Sequence, residues 1–278
     1  MQKIDLHTHS NKSDGSLSPS QLMEAAKDAG LAAIALTDHD TIEGLPEAKM
    51  AAVRYGIELV PGIELAASYK NMEVHIVGLD INMESAALND ALELIQDSRN
   101  QRNLEMVSIM QEHGIDITMD KLQELEGEAV LTRANFANYL VHTGFVKTTD
   151  EAFKKYIGHG DIFYVPRKRI TPRDAVRLIL TAGGIPVLAH PLLYKFSKPQ
   201  LEECLAELKK DGLEGLEVYY SMNAPGDDNR MRHLADKYKL SYSGGSDFHG
   251  TYKPHIQLGT GRGSLCIPYD VLSNLRKR

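Results

Sequence analysis

Short apolar segments alternate with amphipathic helical segments along the first 80 residues of the chain. The apolar segments predict strands at residues 3–6, 32–36, 57–60, 63–67 and 73–79. Ser18-Pro19-Ser20-Gln21 has the form of a helix N-terminal capping box, and Gly30 is a suitable end for the helix that follows. Asp40-Thr41-Ile42-Glu43 predicts the start of a second helix, with Asp40 placed to cap it.

The same alternation returns after residue 170. Strands are predicted at 185–189, 216–220 and 240–243, and helices at 171–181, 198–210 and 227–238. Strands that alternate with helices are typical of a parallel sheet, either open or closed into a barrel. We therefore predict an α/β fold.

The middle of the chain lacks this alternation. The pattern there is helical, with a long helix over 84–112 and shorter ones near 119–125, 133–142 and 150–157. We predict an all-helical insertion at residues 83–162, a cap on a catalytic domain formed by residues 1–82 and 163–278.

The composition is that of an ordinary globular protein, with 278 residues, 42% hydrophobic and 25% charged, which excludes disordered and fibrous chains. Cys204 and Cys266 are too few to form a disulfide scaffold, and we expect them to be reduced thiols. No apolar segment approaches the ~20 residues that a membrane span requires. A charged strand-like segment begins at Lys3, so we expect no signal peptide and a cytoplasmic protein without a membrane partner.

The formal net charge is −7, and the chain carries 11 histidines. Net acidity argues against a large basic surface for duplex DNA. Acidic residues and histidines in such a chain either scatter over the surface or gather around metal ions. Their positions in the sequence decide between these two arrangements.

Many of these side chains lie where a predicted strand ends. Because the carboxyl ends of parallel strands meet on one face, we expect the side chains to converge there. Imidazoles and carboxylates together suit Zn²⁺, Mn²⁺ or Fe²⁺. The strand-end residues are His7, His9, Asp38, His39, Asp40, Glu64, His190, Asp247 and His249, and His75 lies within a strand.

Three positions have a local alternative to metal binding. Asp14-Gly15 has the form of a turn, and Asp38 suits a turn or a cap. His75 lies inside a strand segment, so a structural role is also open for it.

Six motifs, in this order, resemble those of the PHP (polymerase and histidinol phosphatase) phosphoesterases. The helical insertion further resembles the stand-alone members, which hydrolyse nucleoside 3′,5′-bisphosphates and trim short RNA at its 5′ end. The motifs are Asp5-Leu6-His7-Thr8-His9-Ser10, Ser13-Asp14-Gly15, Thr37-Asp38-His39-Asp40, Pro61-Gly62-Ile63-Glu64, Ala189-His190-Pro191 and Gly245-Ser246-Asp247-Phe248-His249.

The resemblance implies a distorted (β/α)7 barrel, similar to a TIM barrel, that holds three divalent metal ions (Mn, Zn or Fe). Glu64, His190 and Asp247 are the implied catalytic residues, and Asp38 is implied to orient a ligand histidine. The implied metal ligands are His7, His9, Asp14, His39, Glu64, His75, His190, Asp247 and His249.

Arg133 and Arg167 are candidate phosphate-binding residues. Related proteins carry a helix-starting arginine and a Tyr-Val-Pro-Arg-like segment near the substrate, and arginine suits bidentate phosphate contacts. The roles of Lys168 and Arg169 stay open. A histidine commonly follows shortly after the first arginine in the family, whereas this chain has Asn135 there.

Tyr219 and Tyr220 end a predicted strand without obvious ligands. A nucleobase stacked on a tyrosine is one interpretation, but we expect these residues to pack the barrel. His255 lies close to the last motif and is a weak candidate for substrate contact.

The strand-end ligands and the resemblance to the PHP family together predict a metal-dependent phosphoesterase that uses a metal-bridging hydroxide. The expected reaction removes the 3′-phosphate of nucleoside 3′,5′-bisphosphates, with AMP as an example of a product, and short RNA is a further substrate. The alternatives are a histidinol-phosphate phosphatase, a (β/α)-barrel amidohydrolase and a degenerate module without activity. We expect a monomer or a small homo-oligomer.

Overall fold

Eight strands and ten helices form the described part of the chain. The computed structural model describes residues 2–70, 72–127, 129–167 and 169–277. The strands are β1 (Lys3–Asp5), β2 (Leu31–Leu36), β3 (Glu58–Tyr69), β4 (Met72–Leu79), β5 (Ile185–Leu188), β6 (Gly215–Tyr220), β7 (Ser241–Gly245) and β8 (Ile267–Pro268). The helices are α1 (Pro19–Asp28), α2 (Leu45–Tyr55), α3 (Ala86–Glu112), α4 (Met119–Glu126), α5 (Arg133–His142), α6 (Thr149–Ala152), α7 (Pro172–Thr181), α8 (Lys198–Asp211), α9 (Asp227–Tyr238) and α10 (Asp270–Leu275).

The strands form one mixed sheet in the order β7-β6-β5-β4-β3-β2-β1-β8. Neighbouring strands are parallel, except that β4 is antiparallel to β3 and β5, and β8 is antiparallel to β1. β7 also reaches β1, because the Leu6 amide donates to the Gly244 carbonyl at 3.1 Å and the Asp247 amide to the His7 carbonyl at 2.9 Å. The sheet is nearly closed, and the predicted distorted, TIM-like barrel is confirmed.

The barrel has an inner apolar cluster and an outer one. On β2, Ala33 and Ala35 belong to the inner cluster, whereas Ile34 and Leu36 pack with the residues of α1 and α2. This alternation follows from the two-residue period of a strand. Ile267 of β8 and the buried face of α10 complete the inner cluster. Neither β8 nor α10 was predicted.

The helical insertion has an apolar cluster of its own, which includes Met106, Phe136 and Phe163. α3 belongs to both parts, because Leu92 and Ile95 near its start pack with the outer cluster of the barrel. Within the described residues, no strand lies between β4 and β5, as the helical pattern predicted. No described helix is long and apolar enough to cross a membrane.

Two local predictions about the first 80 residues have different outcomes. The capping box is confirmed, because the Ser18 side chain accepts the Gln21 amide at 3.2 Å and the Gln21 side chain accepts the Ser18 amide at 2.9 Å. The two strands predicted at 57–60 and 63–67 are one strand, β3, which continues through Pro61 and Gly62. The strand can pass this close to Thr37 because residue 62 is glycine. A Cβ at that position would lie only 2.7 Å from Cγ2 of Thr37.

The prediction that Asp40 caps α2 is wrong. α2 begins at Leu45, and no side chain caps it. The buried Asp40 carboxylate instead pairs with Arg99 and Arg167 and accepts the Ala66 amide at 3.0 Å. Two guanidiniums stabilise a buried carboxylate more than a solvent-exposed helix terminus does. Asp40 therefore connects β2 to the helical insertion.

Candidate metal centre

Nine histidines and carboxylates converge at the carboxyl end of the barrel. They are brought together because β1, β2, β5 and β7 each deliver a ligand-type side chain just past their last residue, while Glu64 lies on β3 and His75 on β4. All nine are buried except His39 and His75, whose side chains are 14% and 18% exposed. The converging residues are His7, His9, Asp14, His39, Glu64, His75, His190, Asp247 and His249.

The carboxylate of Glu64 lies in the middle of this set, within contact distance of five imidazole rings. Oε1 is 2.8 Å from Nδ1 of His75 and 3.0 Å from Nε2 of His190. Oε2 contacts the other three rings. Its distances are 3.3 Å to Nε2 of His7, 3.3 Å to Nε2 of His9 and 3.1 Å to Nδ1 of His39. Each oxygen thus faces a different part of the centre, which is the geometry of a bridging carboxylate.

Two further carboxylates, those of Asp247 and Asp14, also face ring nitrogens of the centre. Oδ1 of Asp247 lies 3.4 Å from Nε2 of His9, and Oδ1 of Asp14 lies 3.3 Å from Nε2 of His249. Ligand atoms within 4.8 Å of one another form four overlapping groups. These are His9, Asp14, His39 and His249; His7, Glu64 and His190; His7, His9 and Asp247; and His39, Glu64 and His75.

Several ring nitrogens in the centre have no hydrogen-bond partner among the described residues. They include Nε2 of His7 and both ring nitrogens of His9, all of them buried. A buried polar atom without a partner costs on the order of 1–3 kcal/mol, so such atoms are rare. Imidazoles with free nitrogens beside ionised carboxylates fit divalent cations of the zinc, manganese or iron type.

The charges of the centre also suit cation binding. Burial would raise the pKa of Glu64, but the charges of His39 and His7 outweigh it and hold that pKa well below its usual range. Burial, together with the charge of His249, lowers the pKa of His9 to about 3. For His75, burial is outweighed by the Glu64 carboxylate, which raises the pKa to about 10. Glu64 is therefore ionised and His9 neutral, which are the forms that coordinate metals, whereas His75 is protonated in the metal-free protein and would release its proton on binding a cation.

Glu217 is a functional candidate that the sequence analysis missed. Its Oε1 lies 3.0 Å from Nδ1 of His7, and its Oε2 accepts the main-chain amide of His190 at 2.6 Å. A carboxylate behind a ligand histidine fixes the orientation of the ring. The available signal is a charged residue in the middle of the apolar strand Gly215–Tyr220.

The outer oxygen of Asp247 has its own partners. Tyr220 donates its hydroxyl to Oδ2 at 2.9 Å, and Nζ of Lys253 also lies 2.9 Å from Oδ2. Oδ1 stays directed at His9 and His7. Tyr219 packs against both barrel clusters, as expected. Tyr220 is buried, and its hydrogen bond to Asp247 adds a contact that the expected packing role did not include.

Asp38 does not orient a ligand histidine, and that expectation is wrong. Its carboxylate accepts the Ser10 amide at 2.8 Å, the Ser10 hydroxyl at 2.6 Å and the Ser13 hydroxyl at 2.7 Å. Burial raises the pKa of Asp38 to about 6. The role of Asp38 is to hold the segment that places Asp14 at the centre.

A small pocket of about 150 Å³ opens between the centre and the helical insertion. Asp14, His39 and His75 line it from the barrel side, and Arg99 and Arg133 line it from the insertion. Arg133 begins α5, after an N-cap formed by Thr132. A phosphate in this pocket would meet both guanidiniums and the centre.

Five arginines lie at this pocket or behind it, and four of them pair with two shared carboxylates, Glu73 and Asp40. Glu73 lies 2.6 Å from Nη2 of Arg133 and 2.8 Å from Nη2 of Arg169, while Asp40 pairs with Arg99 and Arg167. We call these five side chains the arginine cluster, and its members are Arg99, Arg102, Arg133, Arg167 and Arg169.

Arg102 is the member without a carboxylate partner among the described residues. It is buried, its Nε donates to Oδ1 of Asn103 at 2.8 Å, and its Nη2 has no partner in the described part of the chain. Burial and the charge of Arg99 lower the pKa of Arg102 to about 8. The arginine cluster therefore has an excess of buried positive charge, which an anion would stabilise.

The other residues considered from the sequence have definite places. Arg167 is buried against Asp40, and Lys168 lies outside the described residues.

Asn135 closes the capping box of α5, since its Oδ1 accepts the Thr132 amide at 2.6 Å and its Nδ2 donates to Glu126 at 2.8 Å. His255 is exposed. Arg99 and Arg102 were missed by the sequence analysis.

The chain resembles known proteins over most of its length. The model of the PHP domain family matches residues 5–169. The chain belongs to the PHP family. The chain is 35% identical over 249 residues to a 5′-3′ exoribonuclease of Haemophilus influenzae, covering 89% of this chain and 90% of the relative. It is 36% identical over 250 residues to a 3′,5′-nucleoside bisphosphate phosphatase of Chromobacterium violaceum, covering 90% of this chain and 88% of the relative.

A solved structure shows the same architecture. This structure, from Chromobacterium violaceum, is described as an amidohydrolase with bound sulfate and no metal. It superposes with a TM-score of 0.89 at 34% identity and covers 99% of this chain and 96% of that one. A metal-dependent phosphoesterase from Bifidobacterium adolescentis also superposes, with a TM-score of 0.86 at 28% identity, covering 99% of this chain and 95% of that one. Together with the PHP relatives, it identifies this chain as a phosphoester hydrolase of a metal-dependent family.

Proposed function

We propose that this PHP phosphoesterase removes the 3′-phosphate from nucleoside 3′,5′-bisphosphates and cleaves short RNA stepwise from its 5′ end. The observation that carries the proposal is the arginine cluster beside the nine-residue centre. A substrate with one phosphate would place it at the centre and leave the cluster without an anion. A substrate with a second phosphate one ribose away would occupy both.

The proposed metal ligands divide among three cations. His7, His9 and Asp247 would hold one with Glu64, and Glu64 would bridge to a second. His75 and His190 complete the second set. Asp14, His39 and His249 form the third. Bound divalent cations of the Mn, Zn or Fe type would supply an activated water molecule and neutralise the phosphoryl oxygens. Ligand atoms that converge within 4.8 Å support the first and third sets, whereas His75 and His190 each converge with Glu64 in separate groups and are joined in one set by the resemblance to the family.

The side chains of this chain have separate tasks in the proposed reaction. Arg133 and Arg99 bind the substrate phosphate that lies in the pocket, while Arg167 and Arg102 add positive charge behind them. Glu64, His190 and Asp247 are the proposed catalytic residues, because they lie where the reacting phosphoryl group must be held. Glu217 keeps Nε2 of His7 directed at the centre by its contact with Nδ1.

The separate apolar clusters of the barrel and the insertion support the proposed domain organisation. Residues 83–162 form a helical cap over a catalytic barrel of residues 1–82 and 163–278, and the arginine cluster lies at their junction. Three of its five members, Arg99, Arg102 and Arg133, come from the cap. The other two, Arg167 and Arg169, come from the segment that leaves it, so the cap region brings cations to an acidic barrel end. This arrangement favours a polyphosphorylated substrate over histidinol phosphate or an amide.

A phosphate-release screen tests this proposal. The substrates are adenosine 3′,5′-bisphosphate, AMP, histidinol phosphate and a short 5′-phosphorylated RNA, each assayed with the holoenzyme. We expect the bisphosphate to give the highest kcat/KM, with AMP as product, and the RNA to give 5′-mononucleotides. Exclusive hydrolysis of histidinol phosphate, or hydrolysis of an amide with no phosphate release, would overturn it.

A further inference from the structure

A second polar cavity, of about 520 Å³, lies outside the arginine cluster, between the end of β6, the start of α9 and residues 262–266. Ligand pockets commonly measure roughly 300–1,000 Å³, so it is large enough for a nucleotide. We call it the β6 cavity. The lining residues that matter are Tyr219, Tyr220, Asn223, Asp228, Arg232 and Arg262.

Two guanidiniums in the β6 cavity lack carboxylate partners. In the part of the chain that the structure describes, neither Arg232 nor Arg262 forms an ion pair. Arg232 is partly buried and its Nε has no hydrogen-bond partner there, whereas Arg262 is exposed at the edge of the cavity. The acid in the lining, Asp228, accepts Nδ2 of Asn223 at 2.8 Å. Uncompensated arginines that line one cavity favour an anionic ligand.

The β6 cavity also offers an aromatic surface. The guanidinium carbon of Arg232 lies 5.5 Å from the centre of the Tyr219 ring, and the ring is partly exposed. A tyrosine beside an arginine is a common arrangement for binding a base together with its phosphate. The ligand chemistry indicated is therefore a nucleotide rather than inorganic phosphate alone.

One side chain separates the β6 cavity from the metal centre. Tyr220 lines the cavity, its hydroxyl donates to Oδ2 of Asp247 at 2.9 Å, and its ring centre lies 5.6 Å from that of His190. The pocket beside the arginine cluster meets other members of the centre, namely Asp14, His39 and His75. The β6 cavity thus adjoins a different part of the centre from that pocket, and the link is Tyr220.

We propose that the β6 cavity binds the nucleotide on the 3′ side of the scissile phosphate of an RNA substrate. This inference rests on the proposed function. In the hydrolysis of RNA, a water oxygen forms a new bond to phosphorus, the bond from phosphorus to O3′ of the first nucleotide breaks, and O3′ takes a proton. The phosphate stays on O5′ of the second nucleotide.

A nucleoside 3′,5′-bisphosphate undergoes the same bond cleavage but ends at the scissile phosphate. It has no second nucleotide and leaves the β6 cavity empty. Arg232 and Arg262 bind the next phosphodiester of the RNA, and Tyr219 stacks with the base. Substitutions in the cavity therefore separate RNA cleavage from bisphosphate hydrolysis.

The test compares the two substrates in Arg232→Gln and Arg262→Gln, with Arg230→Gln as the matched control. Arg230 is exposed on the same helix, α9, and does not line the cavity. We expect kcat/KM for a 5′-phosphorylated pentanucleotide to fall about tenfold in each cavity variant, the usual effect of one lost charge-assisted contact. The value for adenosine 3′,5′-bisphosphate and both values for Arg230→Gln stay unchanged.

A second pair of variants tests the base contact. Tyr219→Phe keeps the stacking surface and should keep RNA cleavage, whereas Tyr219→Leu should lose about tenfold on RNA alone. The salt dependence gives an independent readout, because removing one phosphate contact lowers the slope of log kcat/KM against log salt by about 0.7 for single strands.

Several results would overturn the inference. They are an equal loss on both substrates, no loss on RNA, and a wild-type enzyme that hydrolyses the bisphosphate but does not cleave RNA. With the last result, the proposed phosphatase activity would stand and only the proposed RNA subsite would be refuted. If the wild-type enzyme hydrolyses neither substrate, the proposed function fails as well.

Discussion

Oε1 of Glu217 lies 3.0 Å from Nδ1 of His7, on the side of the ring that faces away from Glu64. This contact fixes Nδ1 as the hydrogen-bonded nitrogen and leaves Nε2 for the centre. Glu217 belongs to β6, whereas His7 follows β1, so two distant strands determine the orientation of one ring.

Glu217→Gln should weaken metal binding and activity while preserving the fold. The amide keeps the shape of the side chain but removes the negative charge behind His7, and such changes cost about 10–100-fold in metal affinity or activity. Metal content after dialysis against graded chelator, together with phosphate release, measures the effect. Glu105→Gln, at an exposed position on α3, is the control, and equal metal content in the two variants would contradict the assignment.

Removing metal with a chelator should abolish phosphate release, and adding Mn²⁺, Zn²⁺ or Fe²⁺ should restore it. Metal analysis of protein purified without chelator should find about three ions per chain, one for each proposed ligand set. Metal at about 100 times its dissociation constant should also stabilise the folded state by about 2.7 kcal/mol. Full activity in metal-free protein would rule out the proposed centre.

His190→Ala and Asp247→Asn should each reduce kcat by at least about a thousandfold, because each removes a proposed ligand beside the reacting phosphoryl group. The far-ultraviolet circular dichroism spectrum should stay the same, since both residues follow strands rather than pack in the apolar clusters. His255→Ala is the matched control at an exposed histidine. Wild-type turnover in either site variant would contradict its catalytic role.

Arg102→Met should raise the free energy of unfolding of the substrate-free protein and weaken its binding of the bisphosphate. A buried guanidinium without a carboxylate partner is costly, and an apolar side chain of similar volume in its place can stabilise by about 1–4 kcal/mol. The same change should raise KM for the bisphosphate at least about tenfold, because the arginine cluster loses charge. Urea unfolding and steady-state kinetics measure the two effects.

Arg177→Met, on the exposed face of α7, serves as the control for Arg102→Met. Its KM for the bisphosphate should equal that of the wild type. If Arg102→Met destabilised the protein without changing KM, Arg102 would be a structural residue and not part of the phosphate site.

Asp40→Asn should destabilise the protein at neutral pH, and the difference should shrink in acid. Burial would raise the pKa of Asp40, but Arg99 and Arg167 outweigh it and hold that pKa below its usual range. A carboxyl with a lowered folded-state pKa contributes stability above its unfolded pKa of about 3.9 and loses it as the pH falls through the folded value.

The cost of Asp40→Asn at pH 7 should be about 3–5 kcal/mol, because two buried guanidiniums lose their shared partner. Urea unfolding of both proteins between pH 3 and pH 7 measures the difference in the free energy of unfolding. A difference that stays constant down to pH 3 would show that the charge of Asp40 contributes nothing to stability.

The strand-end histidines were predictable, because the alternation of strands and helices places the carboxyl ends of strands together whatever the details of packing. The arginines of α3 were not, because exposed arginines are common on helices. Arg99 and Arg102 do, however, follow the buried positions Leu92 and Ile95 at spacings of three and four residues. Arginines on the apolar face of a helix are the signal that would have identified them.

The role of Asp40 shows why local sequence patterns did not predict other features of the fold. Its sequence context is that of a helix cap, and only the arrival of α3 and Arg167 from more than 50 residues away makes it the centre of an ion pair. β8 was also missed, because its two residues are too few to show a period. Both features depend on tertiary contacts that no sequence window contains.

The meeting of β1 and β7 affects how the protein is made. His7 and His9 leave the ribosome among the first residues, but Asp247 and His249 follow some 240 residues later. The complete proposed ligand set cannot exist on a nascent chain until translation has passed His249, and α3 and the arginine cluster are available well before then. We therefore expect complete metal loading to come after the residues of the arginine cluster have been synthesised.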